Sequence, residues 1–410
     1  MSQSTAVDEK KNSVILTSNL FSPHIGGVEN SLLYLAKAYQ EMGYEPRILT
    51  SNIPRAGKAP LALSESVNGT AVERYDAQGK GMAPTVLRSF NNALKLYRRH
   101  SETNNARLFV CRYHYNQLIA SLAGAEPTVY LVPGVIKFQN APKYQQSAGL
   151  RYRLRWYYHH FMQLAALKRA THVAVFSKNM AAQLRQIGFK GTIHLTKPGV
   201  DLERFKPLPS EEKRERRIDL GLTANPDAHV FLCVGRCVGV KGFHLAIDAL
   251  ATGPENGELW IVGDGADMAE LKEQSRKLQL EHRIKFIGAT QTTETYYSLA
   301  DTFVHSSLYE PLGQTVLEAL ASGLPIIAFE ADDATGVNTA SRDLMNDSHC
   351  VFVAEPAPVS LANAMGDMAA LDQVSYESRS ALNRKHAEAT FSWQKLAQDL
   401  LAIANVKDLP

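Results

Sequence analysis

Two carboxylates eight positions apart, Glu310 and Glu318, stand in the run from Ser306 to Pro325, SSLYEPLGQTVLEALASGLP. Pro311 and Gly313 forbid one continuous helix between them. Gly313 opens a new helix, Gly323 ends it, and Pro325 introduces the next strand. Glu310 therefore belongs to a loop before a helix N-terminus, and Glu318 lies about one turn inside that helix. The unpaired N–H groups of Gly313 and its neighbours point into the same space. A helix N-terminus favours anions, which suits the spot to a diphosphate. Ionised carboxylates beside it accept hydrogen bonds strongly and can grip sugar hydroxyls.

Other residues of chemical interest also fall at the ends of apolar runs. Val234-Gly235-Arg236 closes a strand and Lys241-Gly242 opens the next helix. Val262-Gly263-Asp264-Gly265 follows a strand, but its Gly-x-Gly does not complete a dinucleotide fingerprint. Pro23-His24-Ile25-Gly26-Gly27-Val28-Glu29 joins the first strand to the first helix, where two glycines let backbone approach a phosphate or sugar unobstructed. His114, in Arg112-Tyr113-His114-Tyr115, ends another strand and can accept a proton or orient a hydroxyl.

The run from Ser306 to Pro325 resembles the Glu-x7-Glu motif of retaining glycosyltransferases of the group-1 type, which have the GT-B fold. The resemblance implies that Glu310 and the backbone of Pro311, Leu312 and Gly313 meet the donor sugar and phosphate, while Glu318 holds the ribose. It implies that Arg236 and Lys241 bind the donor diphosphate, whose negative charge grows as the glycosidic bond breaks. Gly235, Gly263 and Gly265 would line the donor pocket, and Ile287 would meet the base through its backbone. Gly26 and Gly27 match the family's Gly-Gly-x-Glu loop, and His114 matches a histidine on the acceptor side. One departure stands out. Where the family has a histidine at the donor sugar, this chain reads Leu131-Val132-Pro133-Gly134. Attack on the face from which the phosphate departs does not require a strong protein base, because the leaving phosphate can take the proton. The chain has no Asp-x-Asp, so metal-independent catalysis is expected, with no cofactor beyond the nucleotide-sugar co-substrate.

These residues need elements to hold them. A chain of 410 residues exceeds one ordinary core, so two domains are expected. Strands are predicted at Val14–Thr17, Arg47–Thr50, Leu108–Cys111, Thr128–Val132, Val173–Phe176 and Ile193–Leu195, with a helix over Ser31–Met42. Alternation stops at Lys197–Ser210, which carries Pro198, Gly199, Pro207 and Pro209; with the charged run Glu211–Arg217 after it, this is the linker candidate. It resumes with strands at Val230–Val234, Leu259–Val262, Ile284–Ile287, Thr302–Val304 and Ile326–Ala328. Such alternation gives an α/β chain of two Rossmann-like, doubly wound domains facing across a cleft. The expected division is an acceptor-side domain over 1–198 and a nucleotide-sugar-binding domain over 199–390. In the family a C-terminal helix, here within 391–410, crosses back to complete the first domain.

Composition narrows the partners. Residues 1–199 hold 25 Lys and Arg against 10 Asp and Glu, a net +15, while the remainder carries −12. A basic half is drawn to anionic lipid, an anionic acceptor or nucleic acid; equally, opposite charges can pair the two domains. Arg151 to Phe161 mixes arginines and aromatics on a helix. It suits a membrane interface, yet Leu150, Leu154, Tyr157, Phe161 and Leu164 also form a stripe fit for a core. No apolar run spans a bilayer, and Met1–Ser13 lacks a signal peptide's apolar centre, so a cytoplasmic protein is expected, peripheral on a membrane at most. Cys111, Cys233, Cys237 and Cys350 are too few and irregular for a zinc site and read as reduced, buried thiols.

The expected activity is transfer of a sugar from a nucleoside-diphosphate sugar to a glycan, lipid-linked or small-molecule acceptor, in bacterial surface polysaccharide or glycolipid synthesis. An anionic membrane surface is a further partner, and nucleic acid is not. The alternatives are an epimerase, hydrolase or phosphorylase of the same architecture, or a non-catalytic nucleotide-sugar-binding protein.

Overall fold

The computed structural model describes residues 12–24, 26–55, 57–78, 82–103, 106–139, 149–223, 225 and 227–406. Ile25, nearly all of Met1–Ser13 and the end of 391–410 lie outside them.

The first domain runs β1 (Ser13–Thr17), α1 (Gly27–Glu41), β2 (Glu45–Ser51), β3 (Ser64–Val67), β4 (Thr70–Tyr75) and α2 (Met82–Glu102). It continues through β5 (Ala106–Cys111), α3 (His114–Leu122), β6 (Thr128–Leu131), α4 (Ile136–Gln139) and α5 (Leu150–Arg169). It closes with β7 (His172–Val175), α6 (Lys178–Gln186) and β8 (His194–Leu195). Eight strands pair in the order β3-β4-β2-β1-β5-β6-β7-β8, parallel except for β3 on β4. Every residue of β1 is buried, as a strand covered on both faces requires.

The second domain runs α7 (Ser210–Asp219), β9 (His229–Val234), a 3-10 turn (Gly239–Lys241), α8 (Phe243–Thr252), β10 (Gly257–Val262) and α9 (Met268–Lys277). Then come β11 (Ile284–Gly288), α10 (Thr293–Leu299), β12 (Thr302–His305), β13 (Tyr309–Glu310), α11 (Gln314–Ala321) and β14 (Ile326–Phe329). β15 (Asn338–Thr339), α12 (Ser341–Leu344), β16 (Cys350–Val353), α13 (Pro358–Ala369), α14 (Gln373–Thr390) and α15 (Trp393–Ala404) complete it. Six parallel strands take the order β11-β10-β9-β12-β14-β16.

In both sheets the chain builds outward one way and then reverses, leaving a crevice where the order switches. The first switch lies between β1 and β5, beneath Gly26, Gly27 and His114. The second lies between β9 and β12, beneath Arg236, Lys241 and Glu310.

α15 leaves the second domain and packs on the first. Trp393, Leu396, Leu400 and Leu401 join the first-domain core, and Trp393 stacks on Tyr34 with ring centres 5.1 Å apart. The domains also meet where Asn179 Nδ2 donates to Asn338 Oδ1 at 2.7 Å and Lys197 Nζ donates to the Asp343 carbonyl at 2.8 Å.

Two expectations change. The charged run Glu211–Arg217 is not linker but the body of α7, two of whose cations are buried. Lys213 Nζ donates to the Ala300 carbonyl at 2.7 Å and to Tyr376 Oη at 2.9 Å. Arg217 pairs with Asp301 at 2.6 Å. The stripe on α5 is not a packed core: Leu150, Leu154, Tyr157 and Phe161 are 74, 61, 52 and 63% exposed, and only Leu164 packs. Among the described residues no helix is long and apolar enough to cross a membrane. All four cysteines are free and buried.

Candidate active site

The second switch point is assembled from loops that need glycine to meet. Gly242 has φ +65°, and a Cβ there would lie 2.0 Å from the Ser306 carbonyl oxygen. Gly263 has φ +138°, and its Cβ would lie 1.8 Å from the Gly235 carbonyl. Gly265 sits as tightly against Cys237. These contacts pack the loop after β9 against the loops after β10 and β12. Ser306 Oγ donates to the Lys241 carbonyl at 2.9 Å and the Leu308 N–H donates to the Val240 carbonyl at 2.8 Å, fixing the same join.

That join brings Lys241 Nζ to 2.5 Å from Glu310 Oε2, with the two side chains 14 and 15% exposed. Burial pushes the Glu310 carboxyl up, but the Lys241 charge, His305 and the Gly313 N–H outweigh it and hold the group at about 2. Glu310 is thus an anion at every working pH. Gly313 takes φ +82° and caps α11, so the free amides of that N-terminus open beside Glu310. Arg236 is exposed, and its side chain makes no hydrogen bond or ion pair with a described residue.

Glu318 stands within α11, half-buried. Burial raises its carboxyl to about 7, against the Tyr297 hydroxyl and the Arg204 charge, which lower it. Tyr297 Oη donates to the Thr315 carbonyl at 3.2 Å. Arg204, from the interdomain segment, donates to Glu294 Oε2 at 2.8 Å through Nε and 2.6 Å through Nη2. Ile287 is partly buried at the end of β11 and packs on the second-domain core. Pro311 is buried, and Leu312 packs its side chain against the first-domain core, so the 310–313 loop touches both domains.

On the first domain, Gly26 is the extended N-cap of α1 and Gly27 its first residue. A Cβ at Gly27 would meet nothing within 4 Å, and one at Gly26 only the Glu29 side chain. His114 opens α3 and is 2% exposed. Its Nε2 lies 3.2 Å from His159 Nδ1. Burial, and then His159, lower His114 to about 3, so it is neutral and fitted to orient a hydroxyl rather than to take its proton. Pro133 lines the same cavity as His114.

The structure therefore gathers Arg236, Lys241, Glu310, Gly313 and Glu318 around one crevice and puts Gly26, Gly27 and His114 at the other. Sequence reading missed His305, Tyr297, Arg204 and His159. His305 is a polar residue ending the apolar strand Thr302–His305, a signal that was there to be used. The others reach the site from separate elements and leave no local pattern.

Two doubly wound domains, with a helix N-terminus, two cations and two carboxylates at the second switch point, have the arrangement of the GT-B fold. Residues 215–365 match the family described as glycosyl transferases group 1, and residues 25–204 match glycosyltransferase family 4. The chain belongs to the group 1 glycosyltransferases. It is 34% identical over 167 residues to the lipopolysaccharide core biosynthesis glycosyltransferase LpsD of Rhizobium meliloti, covering 41% of this chain and 46% of that protein. It is 26% identical over 354 residues to the GDP-mannose-dependent alpha-mannosyltransferase of Mycobacterium tuberculosis, covering 80% and 82%. Against LpsD and two further curated relatives the match spans half of their length or less. The fold is similar to that of Anabaena Alr3699/HepE in complex with UDP and glucose, with TM-score 0.72, 18% identity, and 96% and 99% of the two chains covered.

Proposed function

We propose that this protein is a retaining, metal-independent glycosyltransferase that uses a nucleoside-diphosphate sugar. The observation that carries the reading is the second switch point, where Lys241 meets Glu310 at the N-terminus of α11 and Arg236, with no side-chain ion pair to a described residue, stands in the same loop after β9 as Lys241. The donor diphosphate lies between Arg236, Lys241 and the α11 amides. Glu310 and the 311–313 backbone hold the sugar, and Glu318 the ribose hydroxyls. An acceptor oxygen attacks the anomeric carbon on the face the diphosphate leaves. The carbon–phosphate-oxygen bond breaks, the hydroxyl proton passes to the departing phosphate, and a glycoside and nucleoside diphosphate result. Fixed cations aimed at the growing phosphate charge lower the barrier. A GDP-mannose-dependent relative and a similar fold with bound UDP support a nucleotide-sugar donor. The likeness to a lipopolysaccharide core enzyme supports synthesis of a surface glycan.

Peripheral attachment to an anionic membrane surface is the second part of the reading. It is supported by the exposed apolar residues Leu150, Leu154, Tyr157, Tyr158 and Phe161 on α5, which also carries Arg151, Arg153 and Arg155 and no acidic residue.

The direct test is thermal stabilisation by uridine- and guanosine-diphosphate sugars, followed by NMR of the transferred anomer. Stabilisation by one nucleotide series and a product retaining the donor's anomeric configuration are expected. No stabilisation by any nucleotide sugar, or an inverted product, would defeat the reading.

A further inference from the structure

We infer that Asn179 and Gln183 of the first domain are positioning residues for Glu310, which they hold through β15; this rests on the glycosyl-transfer reading above.

Glu310 ends β13, a strand of two residues. Among the described residues β13 pairs with β15 alone, in a small sheet apart from both main sheets, with Tyr309 opposite Asn338 and Glu310 opposite Thr339. The Asn338 N–H donates to the Leu308 carbonyl at 2.8 Å, and the Ala340 N–H donates to the Glu310 carbonyl at 2.8 Å. A ribbon this short has little stability of its own. Whatever holds β15 therefore decides where the Glu310 backbone lies.

The hold comes from the other domain. Asn338 Oδ1 accepts from Asn179 Nδ2 at 2.7 Å and from Gln183 Nε2 at 2.9 Å. The two donors are four residues apart on α6, so one face of that helix presents both. The Asn179 N–H also donates to Asp343 Oδ2 at 3.3 Å, in the helix that directly follows β15. Gln183 and Thr339 are 1 and 3% exposed, so the join is closed to solvent at its centre. Removing one partner of a hydrogen bond there leaves the other unsatisfied.

The loop after β13 leans the same way. Ser177 caps α6 by accepting from the Met180 N–H at 3.0 Å, and its hydroxyl reaches the Pro311 carbonyl at 3.4 Å. Leu312 packs against the first-domain core. The first turn of α6 thus supports residues 309–313 from one side, while Val240 and Lys241 support them from the other. Arg236 and Lys241 stand in the loop after β9, and Glu318 inside α11. None of these three hangs on β15, so the support acts on the sugar end of the donor rather than on its nucleotide end.

The test is titration calorimetry with UDP, GDP and a panel of their sugar esters on wild type, Asn179→Ala, Asn338→Leu, Asn338→Asp and Glu310→Gln. α15 stays packed on the first domain in all of them, so the fold should persist, and melting temperatures check it. For the nucleotide sugar that wild type binds most tightly, Asn179→Ala and Asn338→Leu should bind about tenfold more weakly, the scale of one or two buried hydrogen bonds. Their affinity for the nucleoside diphosphate should stay within about twofold of wild type. Asn338→Asp keeps an oxygen that accepts from both amides, so its affinity for the nucleotide sugar should match wild type. Asn179→Ala/Glu310→Gln should lose no more than Glu310→Gln alone, because Asn179 has nothing to act through once the carboxylate is gone. Losses that extend equally to nucleoside diphosphate, additive losses in the double variant, Asn338→Asp no better than Asn338→Leu, or unchanged nucleotide-sugar affinity in Asn179→Ala would overturn it. A wild type that binds neither nucleoside diphosphate nor any nucleotide sugar fails at the glycosyl-transfer reading instead, and the positioning role falls with it.

Discussion

Lys241 and Glu310 are each other's counter-ion before any donor arrives, so the two diphosphate cations should behave differently when removed. Arg236→Ala takes away an exposed side chain that has no partner among the described residues. Turnover should fall by about a hundredfold or more with the melting temperature unchanged. Lys241→Ala should lower turnover as much, but it also leaves Glu310 nearly buried and unpaired. That costs about 3–5 kcal/mol, visible as a lower melting temperature. Calorimetry beside steady-state kinetics separates the two. A loss under about tenfold for Arg236→Ala would remove it from the diphosphate. Glu318 offers a pH test. Its folded value of about 7 lies above the ordinary 4.5, so its contribution to stability is complete below 4.5 and is lost as pH rises through 7. Glu318→Gln should therefore stabilise the ligand-free protein at pH 8 by about 2–3 kcal/mol and hardly at all at pH 4.5. Nucleotide binding runs the other way, because ribose hydroxyls need the ionised carboxylate. Wild-type affinity for nucleoside diphosphate should drop as pH falls below 7, and Glu318→Gln should bind weakly at every pH. A flat wild-type profile would place the ribose elsewhere.

At the scale of elements, the site depends on how closely loops from neighbouring strands can meet. Gly242→Ala adds a Cβ 2.0 Å from the Ser306 carbonyl at a φ of +65°. Strain of this kind costs about 1–3 kcal/mol, and relief would move Lys241 off Glu310. Both the melting temperature and turnover should drop, whereas Gly27→Ala, which meets nothing within 4 Å, should leave the melting temperature alone. Normal stability in Gly242→Ala would show that the two loops are not held together as described. The same elements explain what was legible beforehand. Buried parallel strands such as β1 and β9 are continuous apolar runs, and their ends carry the catalytic spacing, so both could be read locally. β3 is exposed and polar and does not stand out by hydrophobicity, whereas β16 is as apolar and as long as β14 and was a readable signal that went unused. The turn Asn68-Gly69, with φ of 50° and 78°, was a readable hairpin signal between β3 and β4 that went unused. The charged face of α7 hid two buried cations, because their partners Ala300, Asp301 and Tyr376 lie far along the chain. Tyr297 and Arg204 escaped for the same reason. Their proximity to Glu318 is a product of tertiary packing.

Across the whole molecule, the long helices of the first domain point to a surface partner. α2 and α5 both begin at the carboxyl edge of the sheet, flank α3, and bury residues mainly in their later turns: Ala93 and Tyr97 on α2, Gln163, Ala166 and Leu167 on α5. Their earlier turns expose Val86 and Leu87 at 58 and 65%, together with Leu150, Leu154, Tyr158 and Phe161. Exposed apolar side chains in this number on the outer turns of two neighbouring helices are uncommon on a surface facing only water. With Arg151 and Arg153 on the same helix as four of these residues and a net +15 on residues 1–199, this surface is complementary to an anionic bilayer. Each basic group near such a surface contributes about 1 kcal/mol, so Arg151→Glu/Arg153→Glu should weaken sedimentation with anionic liposomes by at least about tenfold. Raising salt should weaken wild-type binding, since screening limits the attraction to about 10 Å at 0.1 M. Leu154→Ser/Phe161→Ser should weaken it through lost insertion, with the salt dependence of the remainder kept. Neutral liposomes should recruit the wild type poorly, and nucleotide affinity should be the same in all three proteins. Wild type that ignores anionic liposomes, or binds neutral ones equally well, would leave the charge asymmetry to the pairing of the two domains and give the apolar tips another occupant.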